Sequence, residues 1–513
     1  MNTITIDGTS LSIELVYKVA NSTGKELKVQ LSSVSKEKIA RSREYVDNIV
    51  KSAKPVYGIN TGFGALSDKF IQSEDLERLQ YNLIRSHCTG VGKPFSIEET
   101  RAIMLLRANC LASGFSGVSP ECIDMLLAFL NNDIAPIVPE KGSVGASGDL
   151  APLSHVALCL IGEGQVIYNG KQISSSFAIS DIGLEPVRLR AKDGLALING
   201  TAVMAALGAL TVYETTKIVQ IADICSAITL EAVRGTKVAY NPLISSVKPH
   251  EGQLKVCSNL QKLLEPESEI AKSHEDCGKV QDPYSLRCVP QVHGAIRQTL
   301  IHTHHVVSVE LNSVTDNPLI FVEEDKVISG GNFHGEALAL TMDYLAMGLS
   351  EIANISERRV EKMMNPTFSD LPAFLVKSSG LNSGLMIAHV TMAALASENK
   401  YLCHPASVDS IPTSTDKEDH VSMGVTAGRK LREVLDNVKT CLAIELLCNT
   451  QGLYLLSPLK TTKPLNAVYE LIRKHVQPID EDRVFSVDIN NIKELINNFE
   501  ILQVVEDSKI ELE

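Results

Sequence analysis

Hydrophobic positions recur at helical spacing through most of the chain. The range 336–364 shows this most clearly, because its apolar side chains follow one another at intervals of four and three residues, at Leu338, Met342, Leu345, Leu349 and Ile352. At 1.5 Å per residue, a helix of this length extends about 40 Å. Further helical runs are predicted over 34–53, 74–85, 98–111, 121–130, 201–233, 293–314, 382–401 and 420–448. Helices this long cover one another in a bundle, so the sequence predicts a mostly α fold.

Alternating apolar and polar residues predict a small number of short strands. Residues 3–13 alternate around Asp7-Gly8, and residues 166–173 alternate around Asn169-Gly170. Asp-Gly and Asn-Gly pairs favour tight hairpin turns, and the second pair is typical of a type I′ turn. We therefore predict two β-hairpins beside the helices.

Changes in the character of the sequence divide the chain into three predicted segments. Short elements and glycine-rich loops alternate up to residue 200, long apolar helical runs follow, and the tail is more charged. We expect a mixed N-terminal domain over 1–200, a central long-helix bundle over 201–450 and a small C-terminal helical segment over 451–513.

The overall charge narrows the possible partners. The 513 residues include 48 basic and 61 acidic side chains, which gives a formal net charge of −13. A nucleic-acid-binding surface would need a basic stripe, so no nucleic acid partner is expected. The hydrophobic content of 44% is that of a folded globular protein.

The sequence also predicts a cytoplasmic location. The first residues lack the basic and apolar regions of a secretory signal, and no apolar run is expected to cross a membrane. The eleven cysteines include no Cys-x-x-Cys pair, which favours reduced thiols in a reducing compartment.

A loop rich in small residues carries unusual chemistry. The string Gly-Ser-Val-Gly-Ala-Ser-Gly-Asp-Leu-Ala-Pro-Leu over 142–153 has three glycines in seven positions, which lets backbone atoms approach closely. At its centre, the Gly148 amide nitrogen can attack the Ala146 carbonyl carbon and close a five-membered ring. Loss of water then turns the Ser147 β-carbon into an electrophilic methylene. The triplet taken alone also fits a tight turn before a helix.

The longer string resembles the signature of the aromatic amino acid ammonia-lyases. In that family the Ala-Ser-Gly triplet forms a 4-methylidene-imidazol-5-one group (MIO) autocatalytically, without an external cofactor or metal. The resemblance implies a fold of the fumarase/aspartase type, a homotetramer and active sites assembled from more than one subunit. It assigns Ala146, Ser147 and Gly148 to the electrophile.

Two further strings match the same family. Tyr-Gly-Ile-Asn-Thr-Gly-Phe-Gly over 57–64 implies that Tyr57 is the base that removes the substrate's β-proton. A tyrosine base needs a lowered pKa, which a neighbouring positive charge or hydrogen bonds could give. Gln-Asp-Pro-Tyr-Ser-Leu-Arg-Cys over 281–288 implies that Arg287 binds the α-carboxylate, for which a planar guanidinium is well shaped. In the same string, Tyr284 is expected over the reacting centre, and Gln281 is expected to orient these groups.

Four more residues are expected to line the substrate pocket: His87, Asn199, Phe333 and Glu418. By the resemblance, His87 faces the substrate ring, Phe333 lies beside the MIO, and Asn199 donates a hydrogen bond near the MIO and the substrate carboxylate. Asn199 follows an apolar run, 195–198, which we interpret as strand-like. Taken singly, each candidate also has an ordinary structural explanation: a packed aromatic at Tyr57, Tyr284 and Phe333, a structural histidine at His87, a helix cap at Asn199, a salt bridge at Arg287 and a helix-terminal acid at Glu418.

Glu418 and His87 together favour histidine as the substrate. A carboxylate can pair with an imidazole, and the phenylalanine and tyrosine lyases carry Gln where Glu418 stands. The expected reaction converts L-histidine to trans-urocanate and ammonia. Ala202 and Lys417 depart from histidine lyases, so a tyrosine or phenylalanine lyase and a 2,3-aminomutase with the same MIO stay open as alternatives. A non-catalytic helical scaffold that retained the motifs is a more remote one.

Overall fold

The computed structural model describes residues 2–52, 55–62, 64, 69–265, 267–275, 278 and 280–513. Most of these residues are helical, which confirms the prediction of a mostly α fold. In chain order, the helices are α1 (Ile13–Ala20), α2 (Ser33–Ser52), α3 (Leu76–His87), α4 (Ile97–Ala112), α5 (Pro120–Asn131), α6 (Leu150–Leu160), α7 (Ser175–Asp181), α8 (Asp193–Ile198), α9 (Ala202–Ala232), α10 (Pro242–Ser246), α11 (Glu251–Leu264), α12 (Glu269–Lys272), α13 (Tyr284–Arg287), α14 (Val289–Glu310), α15 (Glu336–Met364), α16 (Pro366–Ser369), α17 (Met386–Leu402), α18 (Gly424–Leu455), α19 (Lys463–His475), α20 (Phe485–Asn497) and α21 (Glu500–Glu506).

Nine short strands are present among the described residues. They are β1 (Asn2–Ile6), β2 (Leu27–Leu31), β3 (Val91–Pro94), β4 (Ala135–Pro136), β5 (Pro139–Lys141), β6 (Gln165–Tyr168), β7 (Lys171–Ser174), β8 (Leu319–Phe321) and β9 (Lys326–Ile328). They form three two-stranded sheets and one three-stranded sheet, so strands serve as local supports rather than as a central layer.

One hairpin prediction is confirmed and the other was wrong. Strands β6 and β7 pair antiparallel across Asn169-Gly170, where both residues have positive φ. Strand β1, however, pairs in parallel with β2. The carboxylate of Asp7 accepts hydrogen bonds from the backbone N–H groups of Thr9 and Ser10, which turns the chain into α1 instead of back along β1.

The central helices follow the predicted pattern. Helix α15 has the predicted bounds, and the five residues of its seam are all buried. Helices α9, α14, α15 and α18 are 22 to 32 residues long. Helix α9 is long and apolar enough to cross a membrane by length and composition, which the sequence analysis did not anticipate. Because 83% of its most apolar window is buried in the protein, core packing accounts for this character.

The chain separates into two compact units. Unit 1 comprises Met1–Tyr213, Thr303–Asp343 and Pro405–Arg429, and unit 2 comprises Glu214–His302, Tyr344–His404 and Lys430–Glu513. Each long central helix contributes residues to both units. The three segments at 1–200, 201–450 and 451–513 divide the chain along the sequence and stay a prediction.

Candidate active site

The Ala-Ser-Gly triplet lies in a strained loop of unit 1, between β5 and α6. Ser147 has a φ of +52° and Gly148 a φ of +72°. Gly148 pairs with Gly200 in an isolated β-bridge, and a β-carbon on Gly148 would come within 2.1 Å of the Gly200 carbonyl oxygen. Positive φ at a serine costs free energy, so the surrounding structure must impose this conformation.

Asp149 fixes the end of this loop to the start of α9. Its backbone N–H donates to the Gly200 carbonyl oxygen at 2.8 Å. Its Oδ2 accepts from the N–H groups of Val203 at 2.8 Å and Met204 at 3.0 Å, which have no partner earlier in their own helix. Burial raises the pKa of Asp149 to about 7, although these two backbone donors oppose the rise.

A second set of contacts ties the loop to the residues before α18. The Met423 N–H donates to the Val144 carbonyl oxygen at 2.8 Å, and the Ser422 hydroxyl donates to the Gly145 carbonyl oxygen at 3.3 Å. Ser143 donates to Oδ1 of Asp149 at 3.3 Å inside the loop. The triplet is therefore held from both sides by backbone and hydroxyl contacts.

Asn199 belongs to a buried polar network beside the triplet. Its Nδ2 donates to Oδ1 of Asp316 and to the Asn317 carbonyl oxygen, both at 3.0 Å. The other oxygen of Asp316 accepts from Nζ of Lys192 at 2.7 Å, and both side chains are fully buried. Residues 195–198 form the end of helix α8, so the strand-like interpretation was wrong. Asn199 is the residue after this helix and has an extended backbone.

Tyr57 lies within electrostatic range of two acids. Burial raises the pKa of its hydroxyl, a backbone hydrogen bond with Gly64 opposes that rise, and the negative charges of Glu418 and Asp316 add to it. We expected a tyrosine base to have a lowered pKa. Among the described residues the pKa of Tyr57 is instead raised, because burial disfavours the charged phenolate and the two nearby charges are negative.

Glu418 has one oxygen without a partner. Its Oε2 is shielded from solvent and has no hydrogen-bond partner among the described residues. The backbone of Glu418 pairs with Thr413, where the Thr413 N–H donates to the Glu418 carbonyl oxygen at 2.9 Å. An unpaired carboxylate oxygen in this position is well suited to a ligand that brings a donor.

His87, the last residue of α3, is oriented so that its Nε2 can accept a hydrogen bond. Its Nδ1 lies 2.8 Å from the Leu83 carbonyl oxygen, and because a carbonyl only accepts, Nδ1 carries the proton. Burial lowers the pKa of His87, so the ring is neutral near pH 7 and Nε2 presents a lone pair. The segment after it is fixed by the Gly90 N–H, which donates to Nε2 of His155 at 3.2 Å.

The four remaining candidates, Phe333, Gln281, Tyr284 and Arg287, have no described contact with the triplet. Phe333 is half-buried in unit 1, three residues before α15. Gln281, Tyr284 and Arg287 all lie in unit 2, where the Arg287 guanidinium stacks on the Tyr284 ring at 4.4 Å. Tyr284 is 70% exposed, and Gln281 is exposed as well. Tyr284 and Gln281 are therefore available to another molecule, whereas Arg287 is half-buried beneath the Tyr284 contact.

In unit 1, the contact of Gly148 with Gly200 brings the triplet beside Asn199. Tyr57 lies close enough to Glu418 and Asp316 for their charges to raise its pKa. Sequence reasoning missed the residues that hold them, namely Asp149, Lys192 and Asp316. Asp149 follows the triplet directly, and Asp316 stands in the Thr-Asp-Asn-Pro string that ends a helical run, so each had a signal in the sequence.

The family model for aromatic amino acid lyases matches residues 11–474 of the chain. The chain belongs to the aromatic amino acid lyase family. Among the relatives of this aromatic amino acid lyase, the histidine ammonia-lyase of Caldanaerobacter subterraneus subsp. tengcongensis is 51% identical over 513 residues, all of both chains.

Solved structures share the fold of this lyase over nearly its whole length. Histidine ammonia-lyase from Trypanosoma cruzi matches with a TM-score of 0.91 and 44% identity, over 99% of this chain and 95% of that one. Tyrosine aminomutase from Streptomyces globisporus matches with a TM-score of 0.93 and 36% identity, over 100% of both chains. Because a lyase and an aminomutase fit the backbone equally well, the fold alone does not separate the two reactions.

Proposed function

We propose that this lyase converts L-histidine to trans-urocanate and ammonia. The observation that carries the proposal is that unit 1 holds two polar groups suited to an imidazole: a neutral His87 whose Nε2 offers an acceptor, and Glu418, whose shielded Oε2 has no hydrogen-bond partner among the described residues. A phenylalanine ring would leave both groups without a partner, which is costly in a buried site. The 51% identity to a full-length histidine ammonia-lyase supports the same substrate.

We propose further that Ala146, Ser147 and Gly148 form an MIO group. Positive φ at Ser147 and Gly148 and the absence of a side chain at Gly148 fit the approach of the Gly148 nitrogen to the Ala146 carbonyl carbon. Ring closure releases one water molecule, and loss of the Ser147 hydroxyl releases a second. When formed, the MIO supplies an electrophilic methylene that withdraws electrons from the substrate's amino group.

The protein's own side chains supply the other functions. The Tyr57 hydroxyl oxygen takes the β-proton of histidine, and Arg287 binds the α-carboxylate through its guanidinium. Tyr284, Gln281 and Asn199 position these groups by hydrogen bonds, and Phe333 excludes water beside the triplet.

The raised pKa of Tyr57 supports a site that is completed by a positively charged side chain from outside unit 1. Among the described residues, burial and the negative charges of Glu418 and Asp316 favour the neutral phenol over the phenolate. An arginine brought close on substrate binding would lower that pKa. Arg287 lies in unit 2 against the exposed Tyr284, which fits a contribution from another copy of the chain to each site.

We propose that the protein assembles as a homotetramer with shared active sites. The unit 2 parts of α14 and α15, together with α17, expose large apolar side chains at Ile301, Tyr344, Met347, Ile387 and Val390. Apolar groups clustered on helix surfaces mark contacts between protein chains more often than free surface. In such an assembly, the exposed Tyr284 and the half-buried Arg287 would contribute to the site of a neighbouring subunit.

We propose a cytoplasmic location, with no nucleic acid and no membrane as partner. The ten cysteines in the part of the chain that the structure describes are all free, which suits a reducing compartment. The net charge of −13 disfavours binding to phosphate backbones.

Ser147→Ala tests the proposed chemistry. Intact-mass spectrometry of the unchanged protein should show a loss of two water molecules relative to the sequence mass, and the variant should show none and release no ammonia. The matched control is Ser176→Ala, an exposed serine of α7 in the same unit, which should keep both the mass loss and the activity. Full turnover by the Ser147 variant would refute the mechanism.

A further inference from the structure

Three side chains of unit 1 outside the proposed chemistry converge on one point. His334, Glu336 and His420 each bring one potential ligand atom, and these three atoms all lie within 4.8 Å of one another. Nε2 of His420 lies 3.9 Å from Oε2 of Glu336. The rings of His334 and His420 stack with centroids 5.7 Å apart and only 6° between their planes. Nε2 of His334 lies 3.2 Å from the His420 carbonyl oxygen, so an ion either replaces that hydrogen bond or is bound through Nδ1 of His334. Two imidazoles and a carboxylate therefore border the same space.

The Glu336 carboxylate has an unsatisfied oxygen in this cluster. Its Oε2 is shielded from solvent and has no hydrogen-bond partner among the residues that the structure describes. A carboxylate oxygen without water or a donor is unfavourable, and the nearby His420 nitrogen is too distant for a hydrogen bond. A bound cation would satisfy this oxygen.

The donor set selects the kind of cation. Two imidazole nitrogens and one carboxylate oxygen suit first-row divalent transition metals, whereas Mg²⁺ and Ca²⁺ prefer oxygen ligands. Ligand atoms about 2.1 Å from a tetrahedral Zn²⁺ lie roughly 3.4 Å from one another. The observed 3.9 Å between His420 and Glu336 is close to that value, and small side-chain rotations close the remainder. The His420 side chain is 68% exposed, which gives an ion access from solvent.

We propose that His334, Glu336 and His420 bind one divalent first-row transition-metal ion, of which Zn²⁺ is the best fit. The ion takes no part in bond making. It joins two segments of the chain, because His334 directly follows Phe333 and His420 lies two residues after Glu418. The ion therefore holds these two segments in place relative to each other. That the segments carry substrate-binding residues rests on the proposed function.

Metal titration tests the site directly. Protein treated with EDTA and dialysed is titrated with Co²⁺, followed by visible absorbance, and with Zn²⁺, followed by calorimetry. Free histidine is left out because it chelates both ions. We expect one ion per chain, and at least tenfold weaker binding in each of His334→Asn, Glu336→Gln and His420→Asn. The control His475→Asn removes an exposed histidine of α19 in unit 2 and should bind like the unchanged protein.

Binding of equal strength in all four variants would overturn the site, as would absence of binding by the unchanged protein. Circular dichroism verifies that each variant is folded; Glu336→Gln keeps the side-chain size, and Asn keeps a polar side chain at each histidine position. Because the titration needs no turnover, its result is independent of whether the protein releases ammonia from histidine.

Amide hydrogen exchange tests the connection between the two segments. Zn²⁺ should slow exchange in peptides that cover residues 331–336 and 418–423 of the unchanged protein, and should leave both unaffected in His420→Asn. Slower exchange in neither segment, with the ion bound, would overturn the positioning role. Failure of the proposed function appears separately, as failure to release ammonia from histidine.

Discussion

A β-carbon on Gly148 would lie 2.1 Å from the carbonyl oxygen of Gly200, so these two backbones meet with no room for a side chain. The contact brings the chain before α9 against the Ala-Ser-Gly triplet. Asp149 then secures it, because its N–H donates to the same Gly200 oxygen. The geometry of the triplet is thus set by residues about fifty positions away in the sequence.

Gly148→Ala should therefore abolish MIO formation. The new β-carbon must move the Gly200 backbone, and displacements of about 1 Å in a site cost about a hundredfold in rate. Intact mass should show no loss of two water molecules, and turnover should fall by at least that factor. Gly170→Ala is the matched control, since Gly170 has φ of +71°, nearly equal to that of Gly148, but nothing within 4 Å of the added carbon. Equal effects of the two substitutions would contradict steric control.

Glu418→Gln should change substrate preference. Loss of a charged hydrogen bond to the imidazole costs about 1.5–3 kcal/mol, or roughly ten- to hundredfold in kcat/KM for histidine. Phenylalanine does not use the charge, so its kcat/KM should not fall. Because the Glu418 charge helps to raise the pKa of Tyr57, the variant should also reach full activity at lower pH. Asp419→Asn, an exposed neighbour, is the control. An unchanged ratio of the two substrates would mean that Glu418 does not recognise the ring.

Asp149 should make the folded protein less stable as pH rises from about 4 to about 7. Its pKa is about 7 when folded and 3.8 in its ordinary state, so in this window the folded protein holds a proton that the unfolded chain has released. The free energy of unfolding then decreases with pH, by roughly 4 kcal/mol for this group. Denaturant unfolding of the unchanged protein and of Asp149→Asn at several pH values measures this effect. Between about pH 4 and 7 the free energy of unfolding of the unchanged protein should fall relative to that of the variant, and above pH 7 the difference should be constant. A difference independent of pH would mean that Asp149 is ionised in the folded state throughout.

Shared sites predict recovery of activity between two inactive variants. Tyr57→Phe and Arg287→Ala should each be inactive as homotetramers. If the two residues of one site come from different chains, random co-assembly leaves roughly a quarter of the sites intact. Co-expression with two different tags, followed by isolation of the mixed oligomers, measures this recovery.

Tyr57→Phe with Ser147→Ala is the control for that experiment. Both residues lie in unit 1, so co-assembly should leave the activity of this pair unrecovered. Absence of recovery in the Tyr57 and Arg287 mixture as well would place the whole site within one chain.

Regular patterns made much of the fold predictable from the sequence. Helix α15 has its predicted bounds, since its apolar seam repeats at helical spacing for 29 residues. The pairing of β1 with β2 was not predictable, because parallel pairing joins segments 25 residues apart and the Asp7-Gly8 pair imitates a hairpin turn. The short apolar run at 195–198 fits a strand or a helix equally well, and burial in unit 1 decides for the helix.

In the candidate site, too, contiguous motifs could be identified from the sequence, whereas contacts between distant segments could not. Local strings predicted the triplet, Tyr57 and Arg287, since each motif is contiguous. Asp316 stands in a recognisable string, but its pairing with Asn199 and Lys192 could not be predicted, because Asp316 lies 117 residues after Asn199 and 124 residues after Lys192. Burial, together with the charges of Glu418 and Asp316 from distant segments, raises the pKa of Tyr57, which is opposite to the direction expected.

Ammonia release from the purified protein, given L-histidine, L-tyrosine and L-phenylalanine in parallel, tests the central claim most directly. The ultraviolet spectrum of each product identifies it, and amino acid analysis detects any β-amino acid. We predict ammonia and a urocanate spectrum from histidine alone. Ammonia from tyrosine or phenylalanine, or a β-amino acid without ammonia, would contradict the roles given to His87 and Glu418.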